Sequence, residues 1–194
     1  MLGAIKYGLT SLINFEGRDA RQTFWYFVLA VYVVFTALTM VTMLPLMFQM
    51  FGSAFEAARS GASEAETNAM MMGRMGGMFE SIGWMGVATG VGMLLLLGAS
   101  FVRRLHDSDL SGWWALLPGA IYAYALSQMP AQMDAMSAAM ADPAILNPQN
   151  PFAMMRAQGS MAVLGWVPML LVIVLGVRKS SDGPNQYGTE PVRF

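Results

Sequence analysis

Residues 24–48 read FWYFVLAVYVVFTALTMVTMLPLMF, and the interval free of Asp, Glu, Lys and Arg around them runs from residue 22 to residue 55. A helix needs about 20 apolar residues to cross the hydrocarbon core of a bilayer. Unpaired backbone groups cannot face lipid, and the residues do not alternate as they would in a barrel strand. The stretch therefore predicts a transmembrane helix.

Three further intervals lack charged side chains, and each is long enough to cross a bilayer. They cover residues 81–102, 110–133 and 157–177 and contain 22, 24 and 21 residues. The pattern predicts an all-α integral membrane protein, a four-helix bundle built from one multi-pass domain over residues 1–194. The predicted spans are about 24–48, 81–102, 112–130 and 160–177, and the predicted outer segments are about 52–80 and 131–158.

Composition narrows the class of protein further. The chain is 56% hydrophobic and only 12% charged, whereas a soluble domain has about 25% charged residues. A net charge of −1 argues against nucleic acid as a partner, because phosphates require a basic stripe. With no cysteine and one histidine, a disulfide framework, a thiolate nucleophile and a multi-histidine metal site are excluded. We expect no cofactor.

The basic residues predict which ends of the spans face the cytoplasm. Eight of the eleven Lys and Arg residues lie before the first span, in the 103–109 loop or after the last span, and three lie in the outer segments. Basic residues concentrate on the cytoplasmic side of membrane proteins. Both termini and the 103–109 loop are therefore predicted to be cytoplasmic.

The N-terminal segment is not a signal peptide, because it has no central apolar region and no small-residue cleavage site. Apolar residues recur in it at helical spacing, namely Leu2, Ile5, Leu9, Leu12 and Ile13. This pattern predicts a short helix that lies in the membrane interface and ends at Gly17.

Three segments rich in charged and aromatic residues lie on the predicted cytoplasmic face. They are EGRDARQTFW at 16–25, RRLHDSDLSGWW at 103–114 and GPNQYG at 183–188. Singly, each has a structural explanation as Arg and Trp membrane anchors, a helix N-cap or a turn. Because the topology brings them to one face, we predict a motif cluster of Arg18, Arg21, Trp25, Arg103, Arg104, His106, Asp107, Ser111, Trp113, Trp114, Asn185 and Tyr187.

Within this cluster, charges at low dielectric need partners. We therefore expect Arg–Asp pairing between segments, with Asp109 also close by. No nucleophile or second base accompanies His106 in the sequence, so we expect it to be a structural hydrogen-bond donor and not a catalytic base.

The three segments, in this order, resemble the signature of the DUF 805 family of uncharacterised bacterial inner-membrane proteins. GRDARQTFW, RRLHDSDLSGWWALLP and DGPNQYG carry the resemblance, which covers about residues 15–35, 99–118 and 176–191. It implies a small multi-pass inner-membrane protein with no established activity. The chain departs from the pattern at Thr23, where an acidic residue often precedes the aromatic pair. Its outer segments are also longer than usual, which would suit a specialised partner.

Twenty methionines form stripes at helical spacing near the outer ends of the first three spans. The stripes are Met40, Met43, Met47 and Met50; Met71, Met75, Met78 and Met85; and Met129, Met133, Met136 and Met140. They predict helices that continue beyond the bilayer and pack through flexible thioethers. The alternative is a soft Cu(I) site made by Met71, Met75, Met133 and Met136. Packing is favoured because no Cys or His lies nearby to strengthen coordination.

Three hypotheses about function remain open. The leading one is a non-enzymatic structural or accessory component whose partners are the lipid bilayer and another membrane protein. A homo-oligomer through the GxxxG step of Gly86 and Gly90 is its less favoured variant, because such steps also serve packing within a chain. The second is a small transporter or channel for Cu(I) or an apolar solute. The third, a lipid enzyme using His106 and Asp107, lacks an activated nucleophile.

Overall fold

The computed structural model describes residues 1–61, 63–140 and 161–191. Within its helices it omits the side chains of residues 54, 57–58, 64–65, 68–76, 140 and 161–163. Over this part of the chain the protein is helical and contains no strand, as the sequence predicts. Its elements are α1 (Leu2–Thr10), α2 (Arg21–Ser60), α3 (Glu64–Asp107), a 3₁₀ helix (Gly112–Ala115), α4 (Leu116–Met140) and α5 (Met161–Gly176).

Helices α2 and α3 contain 40 and 44 residues, which correspond to lengths of about 60 and 66 Å. Their segments Arg21–Ser53 and Gly77–Asp107 are long and apolar enough to cross a membrane, with mean hydropathies of 2.3 and 1.9. No other helix of the described residues meets both conditions, and Leu164–Gly176 of α5 is a shorter apolar helix. Two of the four predicted spans thus have the required length and composition.

Side-chain hydrogen bonds and a proline mark the starts of α3, the 3₁₀ helix and α4. The backbone N–H and the hydroxyl of Ser63 donate to Glu66 Oε2, each at 2.9 Å, and the Glu66 N–H donates back to Ser63 Oγ at 3.3 Å. The backbone hydrogen bond from Ser63 holds the pKa of Glu66 below its ordinary value. Ser111 caps the 3₁₀ helix through the Trp113 N–H, and Pro118 lies in the first turn of α4, where its missing N–H is harmless.

The described residues form two compact units. The first comprises Met1–Phe35, Thr89–Leu126 and Ala162–Phe194, and the second comprises Thr36–Ala88 and Ser127–Met161. The buried core of the first unit is formed by Phe24, Phe101 and Leu105. Val172 and Leu175 of α5 pack against it, so the start of α2 lies beside the ends of α3 and α5.

Helix α1 ends at Thr10 and not at Gly17, so the predicted end is wrong. The Thr10 hydroxyl donates to the carbonyls of Lys6 and Tyr7, and Arg103 takes the carbonyls of Ser11 and Asn14. Beyond Thr10 the chain forms tighter turns, in which the Ser11 N–H donates to the Gly8 carbonyl and the Asn14 N–H donates to the Ser11 carbonyl, each at 3.3 Å.

The packed face of α1 is made by its small residues, Ala4 and Gly8, which are buried. A Cβ on Gly8 would lie 2.4 Å from the Phe27 ring. The apolar side chains of Leu2 and Ile13 are instead 84% and 91% exposed. These exposed side chains form an apolar surface of the N-terminal segment that points away from the rest of the protein.

Glycines on α3 allow close approach of neighbouring helices within each unit. In the first unit, a Cβ on Gly90 would lie 2.3 Å from Leu126 Cδ2. In the second, a Cβ on Gly86 would lie 2.4 Å from Met129 Cε. Both glycines of the GxxxG step are therefore used in packing within the chain.

Candidate functional site

Five charged residues in the first unit lie almost completely out of contact with solvent. Arg18 and Asp19 precede α2, and Arg103, Arg104 and Asp107 belong to the last turns of α3. None of the five is more than 5% exposed. We call these residues the ionic cluster.

Asp107 joins the two arginines from different segments. Arg18 donates to Asp107 Oδ1 from Nε at 3.2 Å and from Nη2 at 3.0 Å. Arg104 Nη1 and the Ser180 hydroxyl both donate to the other oxygen, Oδ2. Both carboxylate oxygens are therefore occupied by charge-assisted hydrogen bonds, which are stronger than neutral ones.

Asp19 forms the second pair of the cluster. It accepts from Arg103 through both oxygens, with Nε to Oδ1 at 2.8 Å and Nη2 to Oδ2 at 3.2 Å. The Ser100 hydroxyl adds a bond to Oδ2 at 2.7 Å, and the Asp19 N–H donates to the Arg103 carbonyl at 3.1 Å. A fork-to-fork pair of this kind fixes orientation as well as charge, so the segment before α2 is held against α3.

Each guanidinium also binds backbone carbonyls of a different segment. Arg103 Nη1 donates to the carbonyls of Ser11 and Asn14, which follow α1. Arg104 donates to the carbonyls of Gly176, at 2.9 Å, and Arg178, at the end of α5. Helix ends leave carbonyls without partners inside the helix. The two arginines therefore supply hydrogen-bond donors to the backbone carbonyls that follow α1 and to those at the end of α5.

Arg18 also donates to backbone carbonyls, which in its case belong to the C-terminal tail. Its Nη1 donates to the Gly183 carbonyl at 2.7 Å, and its Nη2 donates to the Ser181 carbonyl at 3.0 Å. The tail also donates to Asp107 through the backbone, from the Ser181 N–H to the Asp107 carbonyl at 2.8 Å. These hydrogen bonds hold the C-terminal tail against the end of α3.

His106 lies beside the cluster and contacts two neighbouring segments of the chain. Its Nδ1 is 3.2 Å from the Gly17 carbonyl, which can only accept, so Nδ1 carries the proton. Its ring stacks on Tyr187 with centroids 3.9 Å apart and planes 3° apart. Asn185 Nδ2 donates to the His106 carbonyl at 2.8 Å. The turn that begins after Gly183 is therefore held against the end of α3.

Tyr7 of α1 lies next to Arg103 of the cluster. Its ring centroid is 5.4 Å from Arg103 Cζ, within range of a cation–π interaction. Burial raises the pKa of the Tyr7 hydroxyl, and the negative charge of Asp19 raises it further. Tyr7 therefore remains neutral and packs as an aromatic residue.

A family described as "Protein of unknown function (DUF805)" matches residues 12–189. The chain belongs to the DUF805 family. The match includes all three segments that form the cluster and confirms the resemblance predicted from their motifs. No curated protein and no solved structure matches the chain.

In this DUF805 chain the structure brings together most of the predicted motif residues. Arg18, Arg103, Arg104 and Asp107 form the core of the cluster. Two predicted neighbours lie outside it, which corrects the sequence expectation. Arg21 is exposed in the first turn of α2. Asp109 is exposed in a left-handed turn with φ of 57° and accepts from Gln186.

Of the three predicted tryptophans, one packs against the core and two are exposed. Trp25 packs edge-on against Phe24 with ring centroids 5.1 Å apart, while Trp113 and Trp114 are 79% and 52% exposed. Exposed indole rings are common at membrane–water interfaces.

Sequence reasoning missed Asp19, Ser100, Ser180 and Ser181. Asp19 belongs to the charged segment at 16–25 and is the only acidic residue between Arg18 and Arg21. Its position could therefore have predicted an ion pair. The serines carry no signal of their own, because ordinary serines in helices and tails have the same sequence context.

The proposed Cu(I) ligands lie only partly within the described side chains. Those of Met71 and Met75 lie outside them, whereas Met133 contacts the backbone face of Gly83, with its Cγ 3.0 Å from the position of an added Cβ. Among the described residues of this DUF805 chain, no group of three or more His, Asp and Glu is placed to hold a metal ion.

Proposed function

We propose that this protein is a non-enzymatic, multi-pass component of the bacterial inner membrane that contacts another membrane protein. In this proposal four helices cross the bilayer, both termini are cytoplasmic and the ionic cluster fixes the cytoplasmic helix ends. The observation that supports membrane residence best is the exposure of the apolar helices.

The most apolar windows of α2 and α3 face outward. Only 11% and 22% of these windows are buried, whereas the apolar core helix of a soluble protein is mostly buried. Val34 and Val41 of α2, for example, are 64% and 61% exposed. Leaving such side chains in water forgoes about 1.5–3 kcal/mol each relative to full burial. Lipid removes this penalty.

The ionic cluster supports a structural role for the cytoplasmic end. In the described part of the chain, no buried side-chain nitrogen or oxygen lacks a hydrogen-bond partner. The carboxylates of Asp19 and Asp107 are occupied by arginine and serine donors, so neither is free to serve as a base. A buried pair that loses one member is strongly destabilised. The cluster therefore has the properties of a structural contact that holds the three segments together, and not those of a catalytic site.

The second part of α2 supports contact with a partner. Arg21–Ser53 contains 33 apolar-rich residues, about 50 Å of helix against a hydrocarbon core of about 30 Å. Phe48, Phe51 and Phe55 recur at steps of three and four, and all are at least 68% exposed. If α2 crosses the membrane from Arg21, Phe51 and Phe55 lie past the predicted span. Another membrane protein is the partner that would cover them.

Topology can be tested directly, because the chain has no native cysteine. Ser108→Cys places a thiol at the predicted cytoplasmic end, and Arg59→Cys places one at the predicted outer end of α2. In intact cells, a membrane-impermeant maleimide is expected to label the Arg59→Cys protein and to leave the Ser108→Cys protein unlabelled until the cells are opened. Labelling of Ser108→Cys from outside would overturn the proposed orientation.

Partner contact needs a separate test. A photo-crosslinking amino acid at Phe51 or Phe55, in cells that express the protein at native levels, is expected to give adducts with one other membrane protein. The same probe at Trp113, an exposed residue of the 3₁₀ helix, serves as a lipid-facing control. Adducts with lipid alone at all three positions would contradict the accessory role.

A further inference from the structure

An open cleft of about 260 Å³ lies beside the ionic cluster in the first unit. It is bounded by the first turn of α2, by the segment that follows α5 and by the C-terminal tail. Its lining residues are Ala20, Arg21, Gln22, Lys179, Ser180, Ser181, Asp182 and Glu190. Pockets for drug-sized ligands occupy about 300–1,000 Å³, so this cleft suits a smaller polar group.

The charge behind the cleft is not balanced. The ionic cluster contains three guanidinium groups and two carboxylates, so that Arg18 and Arg104 share Asp107 and the cluster has a net positive charge. Ser180 and Ser181 connect this cluster to the cleft, since Ser180 Oγ donates to Asp107 and the Ser181 carbonyl accepts from Arg18. An excess of buried charge of one sign is costly in a low dielectric. An anion in the cleft would offset part of that cost.

The rim of the cleft carries charges of both signs. Arg21 and Lys179 supply two cations, and Asp182 and Glu190 supply two carboxylates. Lys179 Nζ is 2.9 Å from Asp182 Oδ2, but the two side chains are 76% and 87% exposed. Exposed ion pairs contribute little stability, so both groups can turn to a ligand. A ligand that carries one phosphate and one ammonium matches this arrangement.

The position of the cleft along the helices indicates where such a ligand comes from. Arg21 is the first residue of the apolar segment Arg21–Ser53, and Lys179 follows the end of the apolar helix Leu164–Gly176 by three residues. In a membrane-spanning chain, the cleft therefore lies at the level of the lipid headgroups.

We propose that this cleft binds the headgroup of a zwitterionic phospholipid that carries a primary ammonium, namely phosphatidylethanolamine. Arg21 and Lys179 bind the phosphate, which the buried positive charge also attracts, and Asp182 and Glu190 bind the ammonium. This inference rests on the proposed membrane residence and is independent of the accessory role.

The test measures thermal unfolding of the full chain in a mild detergent with added phosphatidylethanolamine, phosphatidylglycerol, diacylglycerol or soluble phosphoethanolamine. Phosphatidylethanolamine is expected to raise the unfolding temperature most. Arg21→Ala/Lys179→Ala is expected to weaken binding of this lipid about tenfold or more, since it removes both basic residues that attract the phosphate at the lipid surface. Lys6→Ala/Arg59→Ala removes the same charge from exposed positions outside the cleft and should leave the shift unchanged.

Each lipid arm has an outcome that overturns the proposal. An equal shift with diacylglycerol would show that acyl chains suffice, and an equal shift with phosphoethanolamine would assign the cleft to a soluble ligand. An equal shift with phosphatidylglycerol, which has no ammonium, would show that Asp182 and Glu190 do not select the ligand. An unchanged shift in Arg21→Ala/Lys179→Ala would show that the lipid does not bind in this cleft. Cell fractionation separates the two proposals, because a membrane-resident chain without lipid selectivity contradicts only this one.

Discussion

Arg18 and Asp107 lie 89 residues apart in the chain and are joined by two hydrogen bonds to a single carboxylate oxygen. The same carboxylate accepts from Arg104 and Ser180 through its other oxygen. One buried side chain thus connects the segment before α2, the end of α3 and the segment after α5. The predictions below follow from this arrangement and from the packing around it.

Asp107→Asn is expected to destabilise the fold by about 3–5 kcal/mol, the usual cost of removing one partner from a buried ion pair. The substitution keeps the shape of the side chain but leaves Arg18 and Arg104 without their shared anion. SDS titration or thermal unfolding in mild detergent measures the loss. Asp182→Asn is the matched control, because Asp182 pairs only on the surface, and it should unfold like the parent chain. Equal unfolding of the two variants would contradict the role of Asp107.

Arg103→Lys is expected to release α1 and to cost about 1–3 kcal/mol of stability. A lysine ammonium cannot bind both oxygens of Asp19 and also reach the carbonyls of Ser11 and Asn14, because it lacks the fork of a guanidinium. Hydrogen exchange measures the effect as faster amide exchange across residues 2–14. Arg178→Lys, at an exposed side chain, is the control. Unchanged exchange in α1 would mean that the helix is held by other contacts.

Gly90→Ala is expected to destabilise the first unit by about 1–3 kcal/mol, as overpacking of a close contact usually does. An added Cβ would lie 2.3 Å from Leu126 Cδ2. Adding Leu126→Ala should cost less in this variant than in the parent chain, because the clash is then relieved. Gly98→Ala is the control, since a Cβ there meets nothing within 4 Å, and it is expected to gain up to about 1 kcal/mol from helix propensity. Similar effects at both glycines would contradict the packing.

How far the sequence predicts this structure depends on the range of the interaction involved. The charge-free run at 24–48 predicts the helix over Arg21–Ser60 because helix formation in lipid depends on local composition. The predicted topology, in which two antiparallel passes return the chain to the same face, also brings the segments of Arg18 and Asp107 to one end. Neither prediction requires knowledge of side-chain packing.

What the sequence does not predict depends on contacts between distant segments. The segment after α1 is held by Arg103, about 90 residues away, which donates to the carbonyls of Ser11 and Asn14. Arg21 and Asp109 have the same residue types as members of the cluster, yet their backbone positions turn them to solvent. The path of the tail over His106 leaves no periodic signal in the residues themselves.

Methionines at the helix contacts are expected to tolerate leucine. Met129→Leu and Met133→Leu should each cost less than about 1.5 kcal/mol, because the volume is nearly conserved and the thioethers fill space above Gly86 and Gly83. Thermal unfolding with Cu(I) under reducing conditions tests the alternative. We expect no stabilisation of the parent chain relative to Met133→Leu/Met136→Leu. A Cu(I)-dependent rise that this double variant loses would instead support the thioether metal site.

His106 and Tyr187 are expected to contribute to stability as a stacked pair. Their rings are parallel, with centroids 3.9 Å apart, and aromatic pairs of this kind contribute about 0.5–1.5 kcal/mol beyond the area they bury. A double-mutant cycle of His106→Ala, Tyr187→Ala and the combined variant, followed by unfolding in detergent, measures this coupling. His106→Asn in the Tyr187 background retains a donor for the Gly17 carbonyl and should recover part of the loss. If the two alanine substitutions are additive, the stack contributes nothing to folding. The hydrogen bond to the Gly17 carbonyl would then be the remaining contact through which the His106 ring can stabilise the fold.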